Sequence, residues 1–456
     1  MNARLLRRAA PILLALAFLL SPLLSVSAAP RQTVDIQLLN VSDWHAQLDP
    51  NNGIGGAAVL SSYFKAGRLA NPNTLTLTAG DAFGASPPLS NFFNEEPAVL
   101  AMNLMGFDAD TFGNHNFDRG TAHLQTMIDL AEFQYVSANL KNVDDNLTGV
   151  APYKIFTVGG VKVAVIGITN PEAPTLVFPG RFGTIEPTDP IPAANKAKAQ
   201  AQAEGAKVIV AITHLGVTGF DASGAATGPL IDFANNVGGF DVIFGDHTDI
   251  QYSGFHNNAL VVENRSKGAT YSRSIITVDP ENGRIVTRAN TFVVPTASAV
   301  TPDPAIVAML APYRTALSAA FDGVIGVATG LFPRGSNIER LQEVAIGNLI
   351  TDAMRWRYGT QLALTNGGGI RAPLPSSYLP VDHTLRRTTP GYAPGPPFDL
   401  VIGDVFTVLP FGNSVVTRTV TGAQLYAILE HSIGAIPAAN GRFGQISGFS
   451  FVYVVS

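Results

Sequence analysis

The chain has 456 residues, 46% of them hydrophobic and 14% charged, with a formal net charge of −5 and no cysteine. That length predicts two or three domains, and the composition excludes a disordered chain, a disulfide framework and a cysteine-linked lipid anchor. Arg4, Arg7 and Arg8 lie in a predicted targeting segment; without them the balance is −5 − 3 = −8, which does not suit a binder of nucleic-acid polymers.

Residues 1–29 read as a secretory signal peptide. Three arginines precede the apolar stretch Pro11–Leu24, and Ser25 to Ala29 offer a small-residue cleavage site. The alternative is a retained anchor, but the stretch is short and broken by Pro22. The expectation is an exported protein, periplasmic or extracellular, with no stable membrane anchor after cleavage.

Thr33–Val41 reads as a buried strand running into Asp43 and His45. A glycine-rich turn at 53–56 opens a helix to about Ala66, and a strand at Asn73–Thr78 leads to Asp81. A helix is predicted over Ala98–Met105 and a strand over Ala109–Phe112. The hexapeptide Gly113-Asn114-His115-Asn116-Phe117-Asp118 follows, and then another helix. An amide oxygen, an imidazole and a carboxylate crowded at a strand-to-helix turn suit a metal site; a polar turn capping the next helix is the competing reading.

Phe156–Thr169 predicts a hairpin turning at Gly159-Gly160, and Pro192–Gly205 a helix. Strands at Lys207–Ile212 and Asp241–Phe244 end at His214 and at Gly245-Asp246-His247-Thr248-Asp249. Apolar strands follow at Arg273–Val278 and Ile285–Val294, then a linker at Pro295–Pro304 and a helix at Ala305–Phe321, which place a domain boundary near residue 300. Beyond it the pattern predicts a helix over Glu343–Tyr358 and a strand over Gln361–Thr365. An exposed loop over Pro373–Pro397 and a strand over Ser414–Thr419 come next. A capped helix at Leu425–Ile433 precedes a final strand cut by the end of the chain.

Five strands thus stop at loops carrying His, Asp or Asn, and such loops converge at one edge of a layered α/β sheet. Asp43, His45, Asp81, Asn114, His214 and His247 form a mixed nitrogen and oxygen set. It suffices for two divalent ions about 3.5–4 Å apart, sharing a carboxylate and activating a water against a phosphoryl group. His123, His256, His383 and His431 lie in no such loop and read as surface or packing residues.

The order Asp-x-His, Gly-Asp, Gly-Asn-His-x-Phe-Asp, Thr-His and Gly-x-His-x-Asp resembles the calcineurin-like metallophosphoesterase domain of the 5′-nucleotidase/UDP-sugar hydrolase family. Gly347-Asn348-Leu349-Ile350-Thr351-Asp352, Asn366-Gly-Gly-Gly-Ile-Arg371 and Pro410-Phe411-Gly412-Asn413 resemble that family's C-terminal nucleotide-binding domain. The resemblance runs from about residue 33 to the end. It implies an α/β protein with a four-layer metallophosphoesterase β-sandwich flanked by helices over 30–300. A linker helix at 301–322 and a smaller α+β C-terminal domain at 323–456 complete it.

It further implies two divalent ions, of Zn, Mn, Mg or Co. Asp43, His45, Asp81 and Asp249 would hold one, and Asp81, Asn114, His214 and His247 the other. His115 and Asp118 would form the catalytic dyad. Arg340, Asn366, Gly368, Arg371 and Phe411 would bind the nucleotide, with Phe411 stacking on the base. The implied reaction is hydrolysis of 5′-nucleotides by a metal-bridging hydroxide, and Asp118 favours that member of the family. Related readings are 2′,3′-cyclic phosphodiesterase/3′-nucleotidase, UDP-sugar hydrolase and a phosphohydrolase with a non-nucleotide substrate. A non-catalytic nucleotide-binding surface protein is the reading from another class.

Two positions depart from the family's pattern. Asp249 stands where a neutral His or Gln is common, and an aspartate there would add negative charge to the metal site. The glycine-rich motif bearing the second aromatic of the base clamp is missing, so the C-terminal domain reads as truncated, the alternative being a nucleoside held by half a clamp.

Overall fold

Along the strand Val34–Val41, Ile36 and Leu38 face one side while Leu39 and Val41 face the other, and all four are fully buried. A strand buried on both faces needs cover on both, and the chain supplies it in four layers. Leu39 and Val41 pack under helices with Leu60, Phe64 and Met102. Ile36 and Leu38 join Leu75, Leu77, Val163, Val165, Val208, Val210 and Phe244 in an apolar layer between two sheets. On the far side Ile166, Ile209 and Ile243 pack against Ala194, Ala197 and Leu230 of the other helices. The computed structural model describes residues 33–454. The predicted signal segment and the last two residues lie outside them.

The first sheet runs in the order Ile285–Val293, Tyr271–Val278, Val34–Val41, Thr74–Thr78, Ala109–Asp110, Gln134–Val136, Val150–Ala151. Its pairs from Val34–Val41 onward are parallel. The second runs Tyr252–His256, Ala259–Glu263, Val242–Gly245, Val208–Thr213, Val161–Ile168, Tyr153–Val158, with a parallel centre and antiparallel margins. Parallel strands point their carboxyl ends the same way, which delivers all five ligand-bearing loops to one edge.

The helix Pro304–Phe321 is capped by Asp303, which accepts the Ala305 N–H with one oxygen and Ser61 and Lys65 with the other. Its residues Ile306, Leu310 and Phe321 join the first apolar layer. Beyond it, Ala345–Tyr358 covers the antiparallel pair Ala363–Asn366 and Gly444–Ser447. Ile346, Ile350, Ile370, Leu374 and Val408 form a small separate core. The Thr421–Gln424 capping box is present, starting a helix at Gly422–Ile433. No helix among the described residues is long and apolar enough to cross a membrane.

Four expectations need correction. Residues 414–420 form no strand: they are exposed, and no neighbouring strand lies alongside to complete a ladder. Residues 451–454 are likewise unpaired. The strand at Ala109 stops at Asp110, because Asp110 turns its carboxylate onto the Gly80 and Thr111 N–H groups at 3.0 and 2.7 Å. The Pro373–Pro397 loop is not uniformly exposed. Arg387 is 4% exposed, bonded to both oxygens of the fully buried Asp404 at 2.5 and 2.7 Å and to the Tyr378 carbonyl at 2.9 Å.

Arg387→Met leaves Asp404 as an uncompensated buried charge, and such losses cost about 3–5 kcal/mol. Denaturant unfolding should register that drop; a change below about 1 kcal/mol would contradict the assigned role of the pair.

Candidate active site

Asp81 is 1% exposed and uses both oxygens: Oδ1 accepts the His115 backbone N–H at 2.8 Å, and Oδ2 lies 3.1 Å from His214 Nε2. His214 Nδ1 donates to the Ala79 carbonyl at 3.2 Å, which leaves the Nε2 lone pair facing Asp81 and, at 3.2 Å, His247 Nδ1. On the other side His45 Nδ1 donates to the Gly84 carbonyl at 2.9 Å, leaving its Nε2 free, 3.9 Å from Asp43 Oδ1. Ligand atoms therefore converge in three overlapping groups: Asp81, His214 and His247; Asp43, His45 and Asp81; Asp43, His214 and Asp246.

The electrostatics of this cluster are those of a site short of positive charge. Burial, with Asp249 and Asp81 nearby, pushes the Asp43 pKa up to about 7 even against the attraction of His214. Burial and then Asp43 hold Asp246 well above the carboxylate range. Burial opposes ionisation of Asp81, but His214, His115 and His45 outweigh it and hold its pKa well below the usual range. Burial also works against protonation of His214, yet Asp81 raises it to about 9, while burial and His214 press His247 down to about 3. Asn114, 4% exposed, keeps its Oδ1 without a hydrogen-bond partner. Converging lone pairs, crowded carboxylates and an orphaned amide oxygen all fit divalent cations.

These groups are held in strained backbone. Asp43, His45, Asp81 and His247 all have positive φ, between 40° and 90°. Gly113 is required by close approach: a Cβ there would lie 2.1 Å from Asp81 Oδ1. Asp246, absent from the sequence-derived ligand set, joins two loops by accepting the Asp43 and His247 backbone N–H groups at 2.8 and 3.0 Å. The Gly-Asp-His-Thr-Asp run held the signal for it, but a carboxylate beside a ligand histidine is not distinguished by spacing.

His115 lies at the edge of the groups, its Nδ1 2.9 Å from Asp118 Oδ2. Burial disfavours its charged form, but Asp118 and Asp81 raise its pKa above the ordinary value. The Phe411 ring lies parallel to His115, with centroids 5.7 Å apart, and the Arg371 guanidinium sits 5.8 Å from the centre of the Phe411 ring. Asn91 Nδ2 donates to the Pro410 carbonyl at 3.3 Å, tying that turn to the helix Pro88–Asn91.

A cavity of about 2730 Å³ is shared by His115, Asp118, Arg340, Asn366, Gly368, Arg371 and Phe411 with Asp43, His45, Asp81, Asn114 and His247. His214 is fully buried behind it. Asp249 is exposed on the cavity wall and belongs to none of the three groups. His123 and His431, read from the sequence as ordinary surface or packing residues, line the cavity too, as do Arg334 and Lys267. His256 bonds Tyr252 at 2.7 Å and His383 stacks on Tyr392, both away from it.

Asp110, one bond behind Gly80, gives a pH signature. Burial raises its pKa from 3.8 to about 8, with the Asp81 charge adding to the effect. The neutral acid's contribution to stability is complete below pH 3.8 and is lost as pH rises toward about 8. In chelator, Asp110→Asn should therefore gain in Tm relative to the parent protein between pH 4 and pH 8. A difference in Tm that stays constant across that interval would contradict the shift.

Comparison with known proteins agrees with the geometry. The family described as 5′-nucleotidase, C-terminal domain, matches residues 324–456. The chain is 29% identical over 450 residues to Endonuclease YhcR of Bacillus subtilis, covering 93% of this chain and 35% of that protein. It is 27% identical over 469 residues to the 5′-nucleotidase of Bos taurus, covering 92% and 76% of the two. The 5′-nucleotidase precursor of Thermus thermophilus superposes with a TM-score of 0.76 at 28% identity, over 91% of this chain and 81% of that one. The chain spans 35%, 59% and 29% of the lengths of the first three curated relatives it matches. Over 92% of its length the chain is thus similar to a 5′-nucleotidase, and residues 324–456 match the 5′-nucleotidase C-terminal domain.

Proposed function

We propose that the chain is a divalent-metal-dependent phosphohydrolase that removes phosphate from 5′-nucleotides. The observation that carries this reading is the convergence of Asp81 Oδ2 and His247 Nδ1 on His214 Nε2, at 3.1 and 3.2 Å, beside the His115–Asp118 pair. Asp43, His45, Asp81, Asn114, His214 and His247 would hold two ions, with Asp246 fixing the loops that carry them. The metals would supply Lewis-acid polarisation of a phosphoryl oxygen and acidify the attacking water.

The remaining roles belong to the chain's own groups. Asp118 accepts the His115 Nδ1 proton, which fixes the tautomer and turns Nε2 to the cavity. The raised pKa of His115 favours the cation, placed to bond the phosphoryl oxygens as charge gathers on them. Phe411 offers a face to the base, worth roughly 1–3 kcal/mol and tolerant of base identity. Arg371 and Arg340 offer donors, and Asn366 and Gly368 form the backbone edge of the same wall. We assign metal binding to residues 30–300 and nucleoside binding to 323–456.

Export is part of the proposal, resting on the arginines and apolar stretch of residues 1–29.

Protein stripped by chelator and reloaded with Zn, Mn, Mg or Co should release phosphate from AMP; no release with any metal, alongside nucleotide binding, would leave a binding protein. UDP-glucose and a 2′,3′-cyclic nucleotide in the same assay separate the related activities. His115→Ala should lower kcat by about 10²–10⁴-fold while metal content stays unchanged. If metal occupancy collapses with that substitution, His115 is a ligand and the division of labour is wrong.

A further inference from the structure

One buried acid near the metal loops has no part in the reading above, Glu263. It closes the strand Ala259–Glu263, fully buried, beside Gly245 of the neighbouring parallel strand. From there its carboxyl reaches the loops that follow His214 and His247. Oε2 accepts the Val217 N–H at 2.7 Å, Oε1 lies 2.6 Å from Thr248 Oγ1, and the Ile250 N–H is directed at the same group. The two loops touch at this point: a Cβ at Gly216 would lie 2.3 Å from Thr248 Oγ1. One backbone bond, from the Asp246 N–H to the Leu215 carbonyl at 2.9 Å, also joins them.

Counting protons decides the state of this carboxyl. Thr248 Oγ1 lies 2.6 Å from the Val217 carbonyl as well as from Glu263 Oε1. A hydroxyl has one proton to give, so it serves one of these oxygens and must accept from the other. The carbonyl has no proton, which leaves Glu263 as the donor. A closed ring results: Glu263 donates to Thr248, Thr248 to the Val217 carbonyl, and the Val217 N–H back to Glu263. Burial favours the same neutral form, pushing the Glu263 pKa up to about 8 against the Thr248 and Val217 bonds, with Asp43 adding to the effect.

The ring closes one residue from His247, whose φ of 90° is a conformation held only under constraint. We propose that Glu263 is a positioning residue for the metal site: as a neutral acid it ties the His247 loop to the His214 loop. The His247 ring is thereby kept 3.2 Å from His214 Nε2. This rests on the metal-dependent reading and adds to it a residue that touches neither ion nor substrate.

Manganese binding by calorimetry and amide exchange in chelator, both on the full chain, test it. Glu263→Gln keeps the ring, because the amide nitrogen donates to Thr248 and the amide oxygen accepts from Val217. Glu263→Met fills the space and breaks the ring. Losing a group that orients metal ligands costs about 10–100-fold in metal affinity. Glu263→Met should therefore bind manganese at least about tenfold more weakly, and Glu263→Gln as tightly as the parent. Thr248→Val should weaken binding likewise, which decides the matter if Glu263→Met does not fold. In chelator the Val217 amide should exchange faster in Glu263→Met than in the parent or in Glu263→Gln. Parental manganese affinity in Glu263→Met overturns the positioning role, and Glu263→Gln as weak as Glu263→Met overturns the neutral acid. A parent protein that binds no manganese overturns the metal reading instead, and the Val217 exchange rates then decide whether Glu263 holds the loops.

Discussion

The Asp81 carboxylate is the constraint on which the rest of the site depends. One oxygen is held by the His115 N–H and the other faces the free lone pair of His214, itself opposed to that of His247. Lone-pair atoms of Asp81 and His247 that stand 3.1 and 3.2 Å from the His214 Nε2 lone pair repel it unless something positive lies between them. In the protein alone a proton does that work, which is why His214 is raised to about 9 and His247 depressed to about 3. Divalent ions would satisfy the same demand, and the unbonded Asn114 oxygen is available to them.

The fold makes that arrangement possible by fixing the candidate ligands through their backbone. Parallel strands bring the loops together, Gly113 leaves room for Asp81, and Asp246 staples the Asp43 loop to the His247 loop. The cost is visible as positive φ at four ligand residues, held by the four-layer core behind them. Across the cavity, Phe411 and Arg371 approach His115 on a wall supplied by the C-terminal part of the chain.

The sequence was most informative where period and punctuation agree. Buried strands such as Val34–Val41 and Val208–Thr213 stood out as apolar runs, and the polar residues closing them marked the sheet edge. The site's inner geometry was less legible. Asp246 looked like a neighbour of a ligand, because the bond that gives it a role reaches the Asp43 N–H, 203 residues away in sequence. Residues 414–420 are rich in β-branched Val and Thr, yet pairing depends on a partner that local pattern does not report. The buried Arg387 in a proline-rich segment was hidden for the same reason: Asp404, which neutralises it, belongs to a separate element.

The central claim is that Asp81 is shared by two cations. Anomalous diffraction from crystals grown with Mn measures it most directly. The account predicts two manganese peaks that both contact Asp81, one also touching Asp43 and His45 and the other Asn114, His214 and His247. A single peak, or peaks that leave Asp81 untouched, would contradict it.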